Sequence, residues 1–248
     1  MSIVWQKESA SGSCQVRKAG NSVRLYTNGV FHSQFNPANP VRGSLWELLI
    51  IPALFRMPGV VQRVLVLGVG GGTVIRLLNL FVKPQEIVGV ELNPLHIQVA
   101  RRFFGVDKMQ AEIIQGDATA WVRGYRGASF DLIIDDLYGE ECGVPRRAVT
   151  ASKAWFQQLS SHLSLNGILV MNFISHEEMT SSAYFEDSAT KATFVSAFQL
   201  SMPQYENSIA AFFCQKASIR QLRSNLTRIT ALNPRRKSTK LQYRVRGI

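Results

Sequence analysis

Apolar and polar positions along the chain follow two different periods. In SCQVRKAGNSVRLYTNGVFHSQF, residues 13–35, short alternating runs are broken at AGNS and again at Asn28-Gly29, a dipeptide suited to a two-residue hairpin. This predicts a small antiparallel β unit. FNPANPVRG then interrupts regular structure with Pro37 and Pro40, and SLWELLIIPALF reads as a short helix with Ser44 as N-cap. From Arg63 the pattern changes: strand VLVLGV, helix from Thr73 to about Phe81, strand EIVGVEL, helix PLHIQVARRFF, strand AEIIQG, helix TAWVRGY, strand DLIIDDL, helix SKAWFQQLSSHL, strand GILVMNFI. Short apolar strands alternating with amphipathic helices predict βαβ units and a parallel sheet covered on both faces. Beyond it, a helix is expected around KATFVSAFQL and a last strand at SIAAFFCQK. The boundaries drawn are 1–55 for the β unit and linker helix, 56–215 for the α/β domain, and 216–248 for a C-terminal helix and tail.

Composition sharpens this outline at two points. Hydrophobic residues make up 46% of 248, enough to fill a core. The net charge of +11 sits at the end: no acidic residue follows Glu206, whereas ten lysines and arginines do, so the first 206 residues are close to neutral. Any affinity for polyanions therefore belongs to the tail. Cys14, Cys142 and Cys214 are widely separated and the four histidines lack ligand spacing, so we expect a reducing, cytoplasmic setting and no metal. No stretch reads as a leader or a membrane span, since the longest apolar run is interrupted by Glu47 and Pro52.

Gly68, Gly70, Gly71 and Gly72 crowd the first strand-to-helix turn, where an open parallel sheet carries its ligand crevice. Glycines there either let the backbone meet a ligand or simply make a tight turn. The turn has no lysine for a P-loop, and Thr73 stands where a dinucleotide fingerprint needs its third glycine. A nucleoside without a phosphate chain remains. Glu91, closing the second strand, is placed to accept both ribose hydroxyls or to favour the start of the next helix. Gly116-Asp117-Ala118 closes the third strand, with Asp117 suited to an adenine amine, to an N-cap, or to both. In DLIIDDLYGEE, Asp135 and Asp136 face opposite sides of a strand, so only one can point into the crevice. With Glu140 and Glu141 they make an acidic cluster suited to an amine, or a solvated loop.

These residues together resemble the polyamine aminopropyltransferases, the spermidine synthases and a divergent spermidine synthase-like bacterial branch. The resemblance spans about residues 13–215. It rests on Tyr26, Asn28, Gly29, Val30, Ser33 and Gln34 of a YxNGVxxSQ-like hairpin, on the glycine turn, on Glu91, on Gly116-Asp117-Ala118 and on the aspartate strand. It implies an α/β fold: a Rossmann-like seven-stranded methyltransferase-type sheet preceded by a small N-terminal β-hairpin unit. It further implies a sulfonium adenosyl donor, an amine acceptor and a homodimer. Under it Gly68, Gly70, Gly71, Gly72, Glu91, Asp117 and Ala118 bind the donor, and Gln34, Glu47, Asp136 and Glu140 bind the amine. Asp136 takes the proton, and Tyr138 either orients the amine or is a buried aromatic. The chain departs from the family in that the aspartate of its GGGDGG turn falls at Gly71, the tyrosine and histidine of its YHE motif at Leu45 and Trp46, and a second aspartate at Gly139.

Three functions stand against one another. Aminopropyl transfer from decarboxylated S-adenosylmethionine, in polyamine biosynthesis, is the leading one. Methyl transfer from S-adenosylmethionine is second, favoured by loss of a carboxylate at Gly71, which would otherwise repel the carboxylate of that donor. A protein that binds a nucleoside or polyanion without catalysis is third. In ASIRQLRSNLTRITAL, Ile219, Leu222, Leu226 and Ile229 share one helical face, predicting a helix packed on its own domain. The basic NPRRKSTKLQYRVRG after it is expected to be solvated, with contact to nucleic acid or an anionic surface as the alternative.

Overall fold

A computed structural model describes residues 1–9, 12–141 and 144–248, with only the backbone at 140 and 141. Cys142 and the side chains of Glu140 and Glu141 thus lie outside the described residues. Four antiparallel strands open the chain: β1 (Ser2–Ser9), β2 (Gly12–Ala19), β3 (Ser22–Thr27) and β4 (Val30–Phe35). Asn28 and Gly29 both take positive φ, 50° and 81°, as the β3–β4 hairpin requires. Cys14, Val16, Leu25 and Phe35 point inward and join the core of the larger domain. Strand β1 was not foreseen: apart from half-buried Trp5 its residues are exposed, so it lacks the alternation that marks a strand in sequence.

After α1 (Leu45–Ile50), the chain builds β5 (Arg63–Leu67), α2 (Thr73–Leu77), β6 (Glu86–Glu91), α3 (Pro94–Phe104), β7 (Glu112–Gln115), α4 (Ala118–Gly124) and β8 (Phe130–Asp135). A two-strand hairpin follows, β9 (Tyr138–Glu141) with β10 (Val144–Arg147), then α5 (Lys153–Ser160) and β11 (Leu163–Phe173). Three short helices, α6 (His176–Thr180), α7 (Ala183–Glu186) and α8 (Ser188–Ala192), lead to β12 (Ser196–Ser201) and β13 (Ser208–Phe213). The chain ends with α9 (Ile219–Arg228) and β14 (Arg244–Gly247).

The sheet order is β14-β12-β13-β11-β8-β5-β6-β7, parallel from β11 to β7 and antiparallel from β11 to β14. Seven strands, β5–β8 and β11–β13, form the expected sheet, and β14 adds an eighth. Along β5, Val64 and Val66 enter one core layer while Leu65 and Leu67 enter the other, which is why the strand reads as continuously apolar.

Two expectations are corrected. KATFVSAFQL is not one helix, because its second half is β12. Phe194, Ala197 and Phe198 have helical spacing, but the segment is buried on both faces between β13 and β14, and this hides the period of two. Helix α9 packs on its own domain as its apolar face predicts, with Leu222 and Leu226 fully buried and Asn225 Nδ2 donating to the Leu54 carbonyl at 2.9 Å. The basic segment after it is not wholly solvated: residues 234–238 are exposed, but Leu241 is buried and β14 pairs with β12. Among the described residues no helix is long and apolar enough to cross a membrane.

Candidate active site

A cavity of about 1020 Å³ opens at the carboxyl ends of β5, β6 and β8, where the strand order reverses. The parallel strands carry their terminal residues to one edge: Gly68 and Gly70 after β5, Glu91 at the end of β6, Asp117 after β7 and Asp136 after β8. Thr27 and His32 from the N-terminal sheet and Trp46 from α1 close one side, and the β12–β13 loop, Gln204–Asn207, closes another.

The glycines divide into two pairs. Gly68 and Gly70 line the cavity. Gly68 has φ +84°, and a Cβ there would collide with the carbonyl oxygen of Asp136, so its absence lets β5 and β8 end side by side. Gly71 and Gly72 do not line the cavity. The Gly71 amide donates to Ser33 Oγ at 2.7 Å, and a Cβ at Gly71 would lie 2.8 Å from both the Phe104 ring and Ser33 Cβ. Gly72, with φ +85°, is the N-cap of α2 and packs on Val106. The missing family aspartate therefore leaves no gap facing the cavity. Gly71→Asp is expected to cost about 1–3 kcal/mol through overpacking, read as a lower urea midpoint, with no gain in donor affinity. Tighter donor binding at unchanged stability would contradict this placement.

Glu91 is almost wholly buried and braces the turn. Its Oε2 accepts from the amides of Val69 (3.0 Å) and Gly70 (2.8 Å), and its Oε1 from that of Asn93 (2.8 Å). His96 Nδ1 lies 3.6 Å from Oε1, while its Nε2 meets Thr27 Oγ1 at 2.8 Å. Burial works to raise the Glu91 pKa, but His96 and the amides of Asn93 and Gly70 outweigh it, so the carboxyl is held below its ordinary value. Asp117 is exposed and caps α4: Oδ1 accepts from the Ala120 amide at 2.8 Å and from the Thr119 hydroxyl. It lines the cavity while serving as that cap, next to the buried Ala118.

The two aspartates at the end of β8 do separate. Asp135 turns into the core, fully buried, and binds Arg147 Nη2 and Trp155 Nε1, each at 2.8 Å. Asp136 lines the cavity, with Oδ1 accepting from Asn172 Nδ2 at 2.7 Å. Burial, supported by the charge of Asp135 and opposed by the Asn172 hydrogen bond, pushes Asp136 up to about 6. Tyr138 lines the cavity with its hydroxyl donating to the Asn172 carbonyl at 3.0 Å, and burial raises its pKa, keeping it a neutral donor. Arg147 Nη1 reaches the same carbonyl at 2.5 Å, and Asn207 Nδ2 donates to Asn172 Oδ1 at 3.0 Å. Asn172 is thus fixed from three sides and in turn aims Asp136.

Of the expected amine contacts whose side chains are described, Asp136 alone lines the cavity, and the side chain of Glu140 lies outside the described residues. Gln34 is not among the lining residues; its carbonyl accepts from Thr73 Oγ1 at 3.0 Å. Glu47 is fully buried and accepts from the amides of Arg42 and Gly43 and the Ser44 hydroxyl, organising the start of α1. Burial raises its pKa despite these bonds. Sequence reasoning missed Asn172, Arg147, His96 and Glu206. Asn172, at the end of an apolar strand, was the one with a visible signal. Among the described residues no group of histidine, cysteine and acidic side chains is arranged to hold a metal.

A spermine/spermidine synthase domain model matches residues 51–224. The polyamine aminopropyltransferase of Vibrio vulnificus is 29% identical over 147 residues, 58% of this chain and 47% of that protein. The matched part spans about half the length of that curated relative. A probable spermidine synthase from Corynebacterium glutamicum superposes with a TM-score of 0.74 at 18% identity, covering 100% of this chain and 91% of that one. Human methyltransferase-like protein 13, solved in complex with SAH, gives 0.59 at 20% identity over 73% of this chain and 87% of its own. These two likenesses establish the fold.

Proposed function

Because the chain belongs to the spermine/spermidine synthase family, we propose that it transfers an aminopropyl group from decarboxylated S-adenosylmethionine to an amine acceptor, a step of polyamine biosynthesis. The observation that carries this reading is the charge of the cavity wall. Glu91, Asp117, Asp136 and Glu206 line it, and among the described residues no lysine or arginine does, in a protein whose net charge is +11. Such a wall favours a donor ending in an ammonium group and a cationic acceptor, and it offers no lysine or arginine to pair with the carboxylate of ordinary S-adenosylmethionine. Gly71 faces Ser33 and Phe104 and not the cavity, so the lost aspartate lends methyl transfer little support.

On this reading Glu91 receives the ribose and Asp117 the adenine, and the amine sits before Asp136. The amine lone pair attacks the propyl carbon, the carbon–sulfur bond breaks with its electron pair going to sulfur, and the proton lost by nitrogen passes to Asp136. A sulfonium leaves readily, so the protein's task is alignment and proton removal. An aspartate with its pKa near 6 is largely ionised at neutral pH yet a better base than an ordinary one. Tyr138 and Arg147 act by holding Asn172, which orients that base.

Calorimetric titration tests the reading. Decarboxylated S-adenosylmethionine should bind at least roughly tenfold more tightly than S-adenosylmethionine, a difference of about 1.4 kcal/mol. The reverse ranking would point to methylation. No affinity for either, in folded protein, would remove the nucleoside site altogether.

A further inference from the structure

Outside the nucleoside cavity, a second cleft of about 1170 Å³ is formed where α9, the turn at Pro234-Arg235 and the start of β14 converge. Arg220 and Arg223, one turn apart on α9, line it together with Arg235 and Arg244. Among the described residues no acidic side chain lines it and none of the four guanidinium groups makes an ion pair, and the sequence carries no Asp or Glu after Glu206. Ser224 and half-buried Tyr243 add hydroxyls, with Arg223 close enough to Tyr243 for its charge to act on the phenol. The fold thus brings four like charges, from three separate elements, around one concavity without a compensating acid.

We propose that this cleft binds a compact polyphosphate, a chain of two or three linked phosphates either free or on a nucleoside. Guanidinium forks pair with phosphate oxygens two at a time, and linked phosphates concentrate enough negative charge to answer several arginines within one cleft. A nucleic-acid strand spreads its charges along a track and draws on stacked aromatic side chains, whereas here the cations converge and one tyrosine is the aromatic complement. The site is independent of the proposed transfer reaction, since no residue is shared between the two cavities.

The test is calorimetry with inorganic tripolyphosphate, guanosine triphosphate and a short single-stranded RNA on the full chain. Saturable tripolyphosphate binding is expected, weakening several-fold as salt rises from about 50 to about 200 mM. The paired substitution Arg223→Glu with Arg235→Glu, both exposed, should weaken binding at least roughly tenfold while the melting temperature holds. Equal affinity for guanosine triphosphate assigns recognition to the phosphate chain; tighter binding adds a base contact; both support the site. Asp136→Asn should bind tripolyphosphate as the parent does. The proposal is overturned by absence of saturable binding up to about 1 mM, by unchanged affinity in the paired variant, or by loss of binding in Asp136→Asn. RNA bound far more tightly than tripolyphosphate and released by the same paired substitution also overturns it, by assigning the cleft to nucleic acid.

Discussion

Asp136→Asn should lower kcat by about two to four orders of magnitude, the usual worth of a positioned base, while nucleoside affinity stays within a few-fold of the parent. The substitution keeps shape, and its amide oxygen can still accept from Asn172, so what is lost is the proton acceptor. The parent's kcat/KM should rise with pH through about 6 as the carboxyl ionises, and the residual rate of the variant should lack that step. Stability should move the other way. A carboxyl whose pKa is raised by folding contributes stability that is fully present below its unfolded pKa of about 4 and is lost as pH rises through the folded value. Asparagine is neutral throughout, so the variant should melt above the parent at pH values well above 6 and close to it below about 4. Single-turnover kinetics and melting curves at several pH values check both halves. Full turnover in the variant, or loss of nucleoside binding with an intact fold, would refute the assigned role.

Arg147→Met should destabilise the protein by about 3–5 kcal/mol, because it strands the Asp135 carboxylate in the core. Side chains of both partners are almost completely buried, at 2% and 0% exposure, and their N–O distance is 2.8 Å. Trp155 Nε1 still donates to Asp135 afterwards, but one neutral hydrogen bond does not replace a countercharge. Arg147 also reaches the carbonyls of Val149 and Asn172, so the β9–β10 hairpin and the residue that orients Asp136 lose support together. Adding Asp135→Asn should recover a large part of the loss, since removing both charges leaves no unpaired ion. Urea unfolding of the two single variants and the double one measures the coupling. A loss under about 1 kcal/mol in Arg147→Met would mean that the pair is solvated and does not brace the site.

What was legible in the sequence was whatever is encoded locally. The short continuous apolar runs VLVLGV and EIVGVEL between amphipathic helices, the Asn28-Gly29 turn and Pro94 at the first turn of α3 each specify their own conformation, and the α/β domain follows from them. The division of labour between Asp135 and Asp136 was readable too, as far as strand geometry demands opposite sides. What depends on distant partners was not. Strand β14 exists through pairing with β12 across more than forty residues, and β12 is buried along both faces, so its own period of two is hidden. Glu47 looked like an amine ligand because it matches a motif position, yet its burial against Arg42, Gly43 and Ser44 is a matter of how the linker folds. Likewise Gly71 read as a lost binding group until the packing of Ser33 and Phe104 gave its direction.

The brace that Glu91 applies to the amides of Val69 and Gly70 bears on how a guest is captured. The rim's torsions are settled before any sugar arrives, so little chain entropy remains to be surrendered at the moment of docking. On the proposed reading, encounter and desolvation then govern capture, because the rim is already held in place.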